Sequence, residues 1–303
     1  MPDNIPGMLA MMRNFVTEPS VKSLQAVLVD RPAIIVSAGS LVSAANFVVS
    51  KSVSAKSIVM MRPSAIPLDL FDLIVLPEHD RRQGLPQNVV FTPVALSYFD
   101  ENRMNAASET IESRFGATSL HGYPLALIIG GVSPYFSMSK EVIVDLAGSC
   151  WTWAARTEHG MMVTTSRRTP EDVESALGEK LAGRRFENVH VVWGRKDPFN
   201  PLPALLPRAC AVVVTEDSIS MISEAILQGH CPLVIRLPQR KHSRKLARFQ
   251  RYLVQAGMAR WIEASMVAEI LDTEMEDVTR GPAIDLGKIK DEIVRKLKLD
   301  ERR

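Results

Sequence analysis

The sequence predicts an α/β protein made of two Rossmann-like domains that face a cleft, and three observations predict this. Its 303 residues are enough for two domains of about 150 residues each. Short runs rich in Ile and Val alternate with helical segments of about ten or more residues, the pattern of parallel sheets covered by helices on both faces. Hydrophobic residues make up 46% and charged residues 23% of the chain, as in globular proteins.

Charge, cysteine content and missing motifs exclude several classes of protein. The 36 Lys and Arg residues nearly balance 34 Asp and Glu residues, so the net charge of +2 gives no global field that attracts nucleic acid. The three cysteines have no metal-binding spacing and predict free thiols in a reducing compartment. Motifs of serine hydrolases, zinc proteases and P-loop kinases are absent. Because no signal peptide or spanning segment is visible, we expect a cytoplasmic protein.

The first domain is predicted over residues 1–120. Its opening segment, Met8–Leu28, predicts a helix with no preceding strand, so we expect this domain to be trimmed at its N-terminus. A second helix is predicted over Leu41–Lys51. The polar stretch Asp100–Tyr123 has the composition of a linker and marks the predicted boundary. Buried strands are predicted over Ala33–Ser37, Ser57–Met61, Leu73–Leu76 and Asn88–Phe91.

The second domain is predicted over residues 121–280, and residues 281–303 are predicted to form a C-terminal helix that can pack on either domain. Strands are predicted over Leu125–Ile129, Met161–Thr165, Val189–Trp193, Ala211–Thr215 and Leu233–Leu237. Helices are predicted over Ser139–Arg156, Pro170–Leu181 and Ser218–Gln228. In such a fold, a ligand binds at the carboxyl ends of the strands.

The most specific candidate site is the helix start after the strand Ala211–Thr215. Ser218 and Ser220 lie in its first turn, and the next acidic residue is Glu224. Unsatisfied N–H groups and a helix dipole of roughly half a positive charge attract phosphate there. Glu224 can accept hydrogen bonds from ribose hydroxyls. The alternative is that Asp217 or Ser218 only caps the helix.

Two other strand ends carry residues suited to anions. Gly130 and Gly131 follow a strand and allow close approach of a ligand, with Ser133 placed to donate; the alternative is a tight glycine turn. Ser166, Arg167 and Arg168 follow the next strand, where the guanidinium of Arg167 or Arg168 can bind phosphate. For these residues the alternative is a solvated surface.

In the first domain, the segment Leu76–Asp80 ends a buried strand with polar residues. Glu78 and His79 offer a carboxylate and an imidazole for acid–base chemistry, and the alternative is a polar strand exit. Near the other end of the chain, the basic stretch Arg240–Arg251 has an apolar side at helical spacing. It predicts either a solvated helix face or a patch that contacts a diphosphate or an anionic membrane surface.

Five segments in this order resemble the mitochondrial-fission, elongated-mitochondria-like family. They are LPEHD (Leu76–Asp80), IGG-x-S (Ile129–Ser133), TTSRRTP (Thr164–Pro170), VVTEDSISMISEA (Val213–Ala225) and the stretch Arg244–Arg260. The resemblance covers roughly residues 30–265. It implies a GT-B-like architecture, similar to nucleotide-sugar glycosyltransferases that build cell-envelope glycolipids and to UDP-sugar epimerases.

The resemblance also implies that the second domain holds a nucleotide diphosphate, with Ser218 and Ser220 facing the phosphates and Glu224 facing the ribose. Our first hypothesis is therefore a protein that uses a nucleotide-diphosphate sugar as donor substrate, without a required cofactor or metal. In this hypothesis Glu78 or His79 is the catalytic base that deprotonates the acceptor hydroxyl. An envelope or lipid-type acceptor, an anionic membrane surface and a protein are the expected partners, with no nucleic acid. The expected ligand-binding residues are Gly130, Gly131, Ser133, Ser166, Arg167, Asp217, Ser218, Ser220, Met221 and Glu224.

The chain departs from the family pattern at three places. Residues 1–30 lack the usual strand, glycine-rich loop and helix, and Pro134 stands where a Lys commonly follows the GG-x-S serine. The usual Gly-Asp-Asn-Pro-Tyr-like turn is replaced by residues Arg195–Phe199. These departures leave a second hypothesis open, a catalytically degenerate adaptor protein of the mitochondrial-fission type.

Overall fold

The computed structural model describes residues 29, 32–63, 66–116, 124–182, 189–275 and 280–298. The chain divides into two compact units. The first unit comprises Met1–Pro93 and Asp285–Arg303, and the second comprises Val94–Ile284. The predicted opening helix, Met8–Leu28, lies outside the described residues.

Strands and helices alternate through the described residues, as the sequence pattern predicts. The strands are β1 (Ile34–Ala38), β2 (Lys56–Met60), β3 (Leu73–Pro77), β4 (Val89–Thr92), β5 (Leu125–Ile129), β6 (Met161–Thr165), β7 (Val189–Val192), β8 (Ala211–Thr215), β9 (Leu233–Ile235) and β10 (Arg260–Ile262). The helices are α1 (Ser43–Val53), α2 (Glu101–Phe115), α3 (Lys140–Arg156), α4 (Glu171–Ala182), α5 (Leu202–Leu205), α6 (Ile219–Leu227), α7 (Arg244–Gln255), α8 (Val267–Thr273) and α9 (Leu286–Leu297).

The first unit contains a parallel four-stranded sheet in the order β1-β2-β3-β4. Val59, Ile74 and Leu76 are buried in its core. The helix α9 closes this unit, because Lys296 Nζ donates a hydrogen bond of 3.0 Å to the carbonyl oxygen of Val89 on β4.

The second unit contains a parallel six-stranded sheet in the order β10-β9-β8-β5-β6-β7. The strand order reverses between β5 and β8, where Leu125 pairs with Ala211. Alternate residues of β5 enter different cores: Leu127 and Ile129 pack in one, and Ile128 in the other. Both faces of this sheet are therefore covered by helices, which explains the near-continuous Val, Ile and Leu runs of its strands. The predicted α/β class with two parallel sheets is confirmed.

Two predicted boundaries are wrong. The stretch Asp100–Tyr123 does not begin as a linker, because Glu101–Phe115 forms α2 and buries Ala107 and Ile111 in the second unit. Asp100 caps this helix by accepting from the Arg103 N–H at 2.8 Å. The units accordingly divide at residues 93 and 94 rather than near residue 120, and the C-terminal helix belongs to the first unit.

Candidate functional site

The candidate site lies at the carboxyl ends of β5, β6 and β8, in the second unit. These strands are neighbours in the middle of the sheet, and the reversal of strand order falls between β5 and β8. In open α/β sheets, the loops that leave the strands on either side of such a reversal diverge and leave a crevice for a ligand. The fold therefore brings together the predicted segments that follow these three strands.

A hydrogen-bonded cluster ties these three strand ends together, and we call Gly130, Gly131, Arg168, Thr215 and Asp217 the strand-end cluster. The Asp217 carboxylate accepts hydrogen bonds from the Gly131 N–H and the Thr215 hydroxyl, each at 2.8 Å. Arg168 donates to it at 3.1 Å. The Asp217 side chain is 0% exposed, and this burial raises its pKa. Asp217 therefore joins the loops to one another and does not line the neighbouring cavity.

The two glycines are required by this cluster. A Cβ atom on Gly130 would lie 2.2 Å from Asp217 Oδ1, and one on Gly131 would lie 2.2 Å from the carbonyl carbon of Arg168. The predicted close approach is therefore made by the protein itself rather than by a ligand. Ser133 is likewise engaged locally, since its hydroxyl oxygen accepts from the N–H groups of Tyr135 and Phe136 at 3.2 and 3.1 Å. These local contacts are those of a tight glycine turn.

Beside the cluster is a cavity of about 570 Å³, which we call the α6 cavity. Six of the predicted ligand-binding residues line it: Ser166, Arg167, Ser218, Ser220, Met221 and Glu224. Other residues on its wall are Thr164, Thr165, Arg168, Gly194, Asp197, Pro198, Phe199, Asn200, Pro201 and Leu202. The fold thus joins hydroxyls, a guanidinium and a carboxylate from segments far apart in the sequence.

The N-terminus of α6 opens into this cavity without a side-chain cap. Ser218 occupies the N-cap position, with φ −113° and ψ 90°, but its hydroxyl makes no capping hydrogen bond. It lies 3.3 Å from the hydroxyl of Ser220 instead. The first turn of α6 holds no acidic residue. Because neither a cap nor a carboxylate neutralises it, the positive end of the helix dipole is available to an anion.

Glu224 supplies an acceptor further along the same helix. Its Oε1 atom accepts a hydrogen bond of 3.4 Å from the Ser97 hydroxyl. Burial raises the pKa of this carboxyl. Ser97 lies between β4 and α2 in a segment without periodicity or motif, so no sequence signal identifies it.

The loop after β7 forms a wall of the cavity that the sequence did not predict. Asp197 and Phe199 line the cavity, and Arg114 from α2 makes an ion pair with Asp197. The same guanidinium lies 4.8 Å from the centre of the Phe199 ring. The signal that could have found this loop is its position, since it too follows a parallel strand of the sheet. Arg114 belonged to the stretch predicted as a linker.

The predicted catalytic pair lies in the first unit, in a 3₁₀ turn over Glu78–Asp80 that follows β3. Both Glu78 carboxylate oxygens accept hydrogen bonds of 2.6 Å from Arg81. The His79 side chain is 0% exposed, and its Nε2 atom lies 3.9 Å from Asp80 Oδ2. Glu78 is therefore held by a guanidinium while its side chain stays 25% exposed, and His79 is buried.

In the described part of the chain, no three His, Cys, Asp or Glu side chains are grouped so as to hold a metal ion. Nor is any helix in those residues long and apolar enough to cross a bilayer.

Comparison with known proteins identifies a family. The model of the family described as Mitochondrial fission ELM1 matches residues 7–295. An uncharacterized protein of Rickettsia prowazekii is 26% identical over 89% of this chain and 81% of its own length. The mitochondrial fission protein ELM1 of Arabidopsis thaliana is 26% identical over 76% of this chain, which corresponds to 57% of that protein.

Solved structures show the same fold. The UDP-GlcNAc 2-epimerase of Methanocaldococcus jannaschii has a TM-score of 0.56 at 12% identity, with 94% of this chain and 83% of that chain covered. The ADP-heptose LPS heptosyltransferase II of E. coli has a TM-score of 0.50 at 11% identity, with 84% and 80% covered. At these identities the likeness concerns the fold alone, which is that of GT-B glycosyltransferases and epimerases.

Proposed function

Since the chain belongs to the Mitochondrial fission ELM1 family, and has a GT-B-like fold, we propose that its second unit binds a nucleotide-diphosphate sugar. We further propose that the protein transfers the sugar to an envelope or lipid-type acceptor without requiring a metal. The UDP-GlcNAc 2-epimerase and the ADP-heptose heptosyltransferase that share its fold are named for donors of this class.

One observation carries the proposal: the uncapped start of α6 faces a cavity that also holds an arginine. The N–H groups of the first turn and the hydroxyls of Ser218 and Ser220 can donate to diphosphate oxygens. Arg167 lines the same cavity and adds a full positive charge. A ligand with one or two phosphate groups satisfies these donors, whereas a neutral metabolite leaves them unused.

The remaining residues of the cavity fit the other parts of such a donor. Glu224, which is half-buried in the cavity wall, would accept hydrogen bonds from the ribose hydroxyls. Ser166 and Met221 would form the polar and apolar walls around the nucleoside. The strand-end cluster would fix the loops on which these residues stand, so Gly130, Gly131 and Asp217 would act on ligand geometry without contact.

In the transfer step, an acceptor oxygen would bond to the anomeric carbon while the bond from that carbon to the diphosphate oxygen breaks. The positive groups at α6 would stabilise the leaving diphosphate. The acceptor proton must pass to a base. Glu78 could take this role only after release from Arg81, because both of its oxygens are engaged there.

Titration calorimetry with UDP, GDP, CMP and their sugars tests the binding step. We expect one nucleotide class to bind with a micromolar dissociation constant, and the double variant Ser218→Ala/Glu224→Ala to weaken binding about fiftyfold or more, since two hydrogen-bonding groups are lost. The control is Ser52→Ala/Glu179→Ala, which changes the same residue types at exposed sites on α1 and α4. If no nucleotide binds below millimolar concentration, or both variants behave alike, the proposal is wrong.

A second candidate is an adaptor that keeps the fold and has lost the chemistry. The engaged Glu78 and buried His79 favour it, as does the Arabidopsis relative, which is named for mitochondrial fission. Incubation with the bound nucleotide sugar and an envelope lipid extract separates the two. Release of nucleoside diphosphate supports the enzyme. Binding without release, together with a purified partner whose affinity survives Ser218→Ala/Glu224→Ala, supports the adaptor.

A further inference from the structure

The charge of the chain is strongly uneven. Between Glu224 and Glu263 there is no acidic residue, although the whole chain is nearly neutral. The same stretch contains eight basic residues: Arg236, Arg240, Lys241, Arg244, Lys245, Arg248, Arg251 and Arg260. A local excess of this size creates a positive surface potential that the net charge of +2 conceals.

The fold presents much of this charge on one face. Helix α7 buries Phe249 and Leu253 on its inner side. Arg244 and Arg251 are spaced seven residues apart and lie on its exposed side. Arg240 and Lys241, in the loop that leads into the helix, are also exposed. We call Arg240, Lys241, Arg244 and Arg251 the basic face.

The basic face is not neutralised by the protein. In the described residues, no hydrogen bond or ion pair engages the side chains of its four members. By contrast, Arg236 and Arg260, at the ends of the acid-free stretch, form ion pairs with Glu263 and Glu274. The four charges of the basic face are therefore open to an anionic partner.

Exposed apolar side chains adjoin the basic face. The backbone N–H of Arg240 donates to the carbonyl oxygen of Tyr135 at 2.7 Å. Tyr135 is 36% exposed, and Val132, on the same loop, is 39% exposed. On α7 itself, Val254 is 50% exposed. Basic residues beside an aromatic ring and aliphatic groups are the composition that contacts both lipid headgroups and the apolar layer beneath them.

We propose that the basic face binds an anionic phospholipid bilayer, with Tyr135 and Val132 at the level of the headgroups. The apolar neighbours favour a bilayer over nucleic acid, because a phosphodiester backbone offers nothing for exposed aliphatic groups to enter. This inference does not rest on nucleotide-sugar binding, since none of the four basic residues lines the α6 cavity.

Co-sedimentation of the full chain with vesicles tests the inference. We expect binding to phosphatidylcholine vesicles that contain phosphatidylglycerol, weak binding to pure phosphatidylcholine, and a steep loss of binding as salt is raised. Each basic residue near an anionic bilayer contributes a factor of about five in affinity. The variant Arg240→Gln/Lys241→Gln/Arg244→Gln/Arg251→Gln should therefore bind at least about a hundredfold more weakly.

The matched control is Arg103→Gln/Lys140→Gln/Lys288→Gln/Lys290→Gln, which removes four exposed charges elsewhere. It should bind vesicles nearly as well as the unmodified chain, and circular dichroism should show both variants folded. Equal losses in the two variants, or no preference for anionic vesicles, would overturn the inference. Tighter binding to duplex DNA than to anionic vesicles would also overturn it. Nucleotide titration of the basic-face variant should be unchanged, which separates this result from the proposed donor site.

Discussion

The strand-end cluster and the α6 cavity lie side by side at the same sheet edge, yet their polar groups are used in opposite ways. Asp217 is buried and accepts three hydrogen bonds from the protein. Ser218, the next residue, leaves its helix uncapped and lines a cavity. A polar group whose partners are all internal stabilises the fold, whereas one that faces a cavity without such partners is available to a ligand. Adjacent residues of one motif can therefore serve different purposes.

The strongest test of this contrast is Gly131→Ala. The new Cβ atom would lie 2.2 Å from backbone atoms of Arg168, so a main-chain segment must move. We expect the free energy of unfolding to fall by about 3 kcal/mol, with loss of nucleotide binding as the loops separate. Urea unfolding measures the first effect and calorimetry the second.

Gly178→Ala is the control for this substitution. Gly178 lies within α4, and the nearest atoms to its added Cβ, on the Trp193 ring, are 3.9 Å away. Stability should therefore rise by about 0.5 to 1 kcal/mol. If Gly131→Ala and Gly178→Ala change the free energy of unfolding equally, the strand-end cluster is not rigid.

Asp217→Ala should be next in size. It leaves the buried Gly131 N–H and the Thr215 hydroxyl without their acceptor and should lower the free energy of unfolding by about 2 kcal/mol. Asp217→Asn keeps one carbonyl oxygen and should cost less. A variant that binds nucleotide more weakly at unchanged stability would show that Asp217 contacts the ligand after all.

The role of the α6 cavity in this comparison is tested by the variants Ser218→Ala and Ser220→Ala. Removing an N-cap serine usually costs about 1 kcal/mol of stability, but the Ser218 hydroxyl makes no capping bond. We therefore expect a stability change below about 0.5 kcal/mol and a roughly tenfold loss of nucleotide-sugar affinity for each variant. If Ser218→Ala instead lowers the free energy of unfolding by about 1 kcal/mol, Ser218 acts as an ordinary helix cap.

The smallest expected effect concerns pH. Burial raises the pKa of Glu224 above its ordinary value of 4.5, so protonation removes an acceptor at a higher pH than for an exposed glutamate. Affinity for a nucleotide sugar, whose diphosphate does not titrate there, should fall as the pH falls through this pKa. The Glu224→Gln variant should bind about fivefold more weakly and lack this pH dependence.

The raised pKa of Glu224 affects folding stability in the opposite direction to ligand affinity: stability falls as the pH rises. The folded state binds the Glu224 proton more tightly than the unfolded state, so this group lowers stability as pH rises from the ordinary value through the raised pKa. The Glu224→Gln variant should consequently unfold at slightly higher urea concentration than the unmodified chain near neutral pH. If the affinity of Glu224→Gln and its dependence on pH equal those of the unmodified chain, Glu224 does not contact the ligand.

The sheet architecture was predictable because a strand that is buried on both faces appears in the sequence as a continuous run of apolar residues. Each residue of β8 is buried, and the run Ala211–Thr215 was predicted without error. Several elements were not predicted, among them β10 and α2. The strand β10 has only three residues and begins with a charged one. In α2, polar residues cover all but a narrow buried side that includes Ala107 and Ile111, so composition favoured a linker.

Part of the α6 cavity follows from spacing along the sequence. Ser218, Ser220 and Glu224 were proposed together from their positions after a strand, and all three line this cavity. Contacts between distant segments were not predictable: Asp217 bonding to Gly131, Ser97 to Glu224 and Arg114 to Asp197 depend on which loops the fold brings together. The ion pair of Glu78 with Arg81 is local, three residues apart, but the sequence alone does not distinguish a carboxylate held by a nearby guanidinium from a catalytic one.

The position of α9 has a consequence for how the molecule can be cut. Because the chain leaves the first unit at residue 93 and returns to it at residue 285, the second unit is an insertion joined by two covalent crossings. A protease that cleaves one crossing leaves the units connected. Truncation from the C-terminus removes part of the first unit, whereas residues 94–284 form one uninterrupted segment that contains the whole second unit.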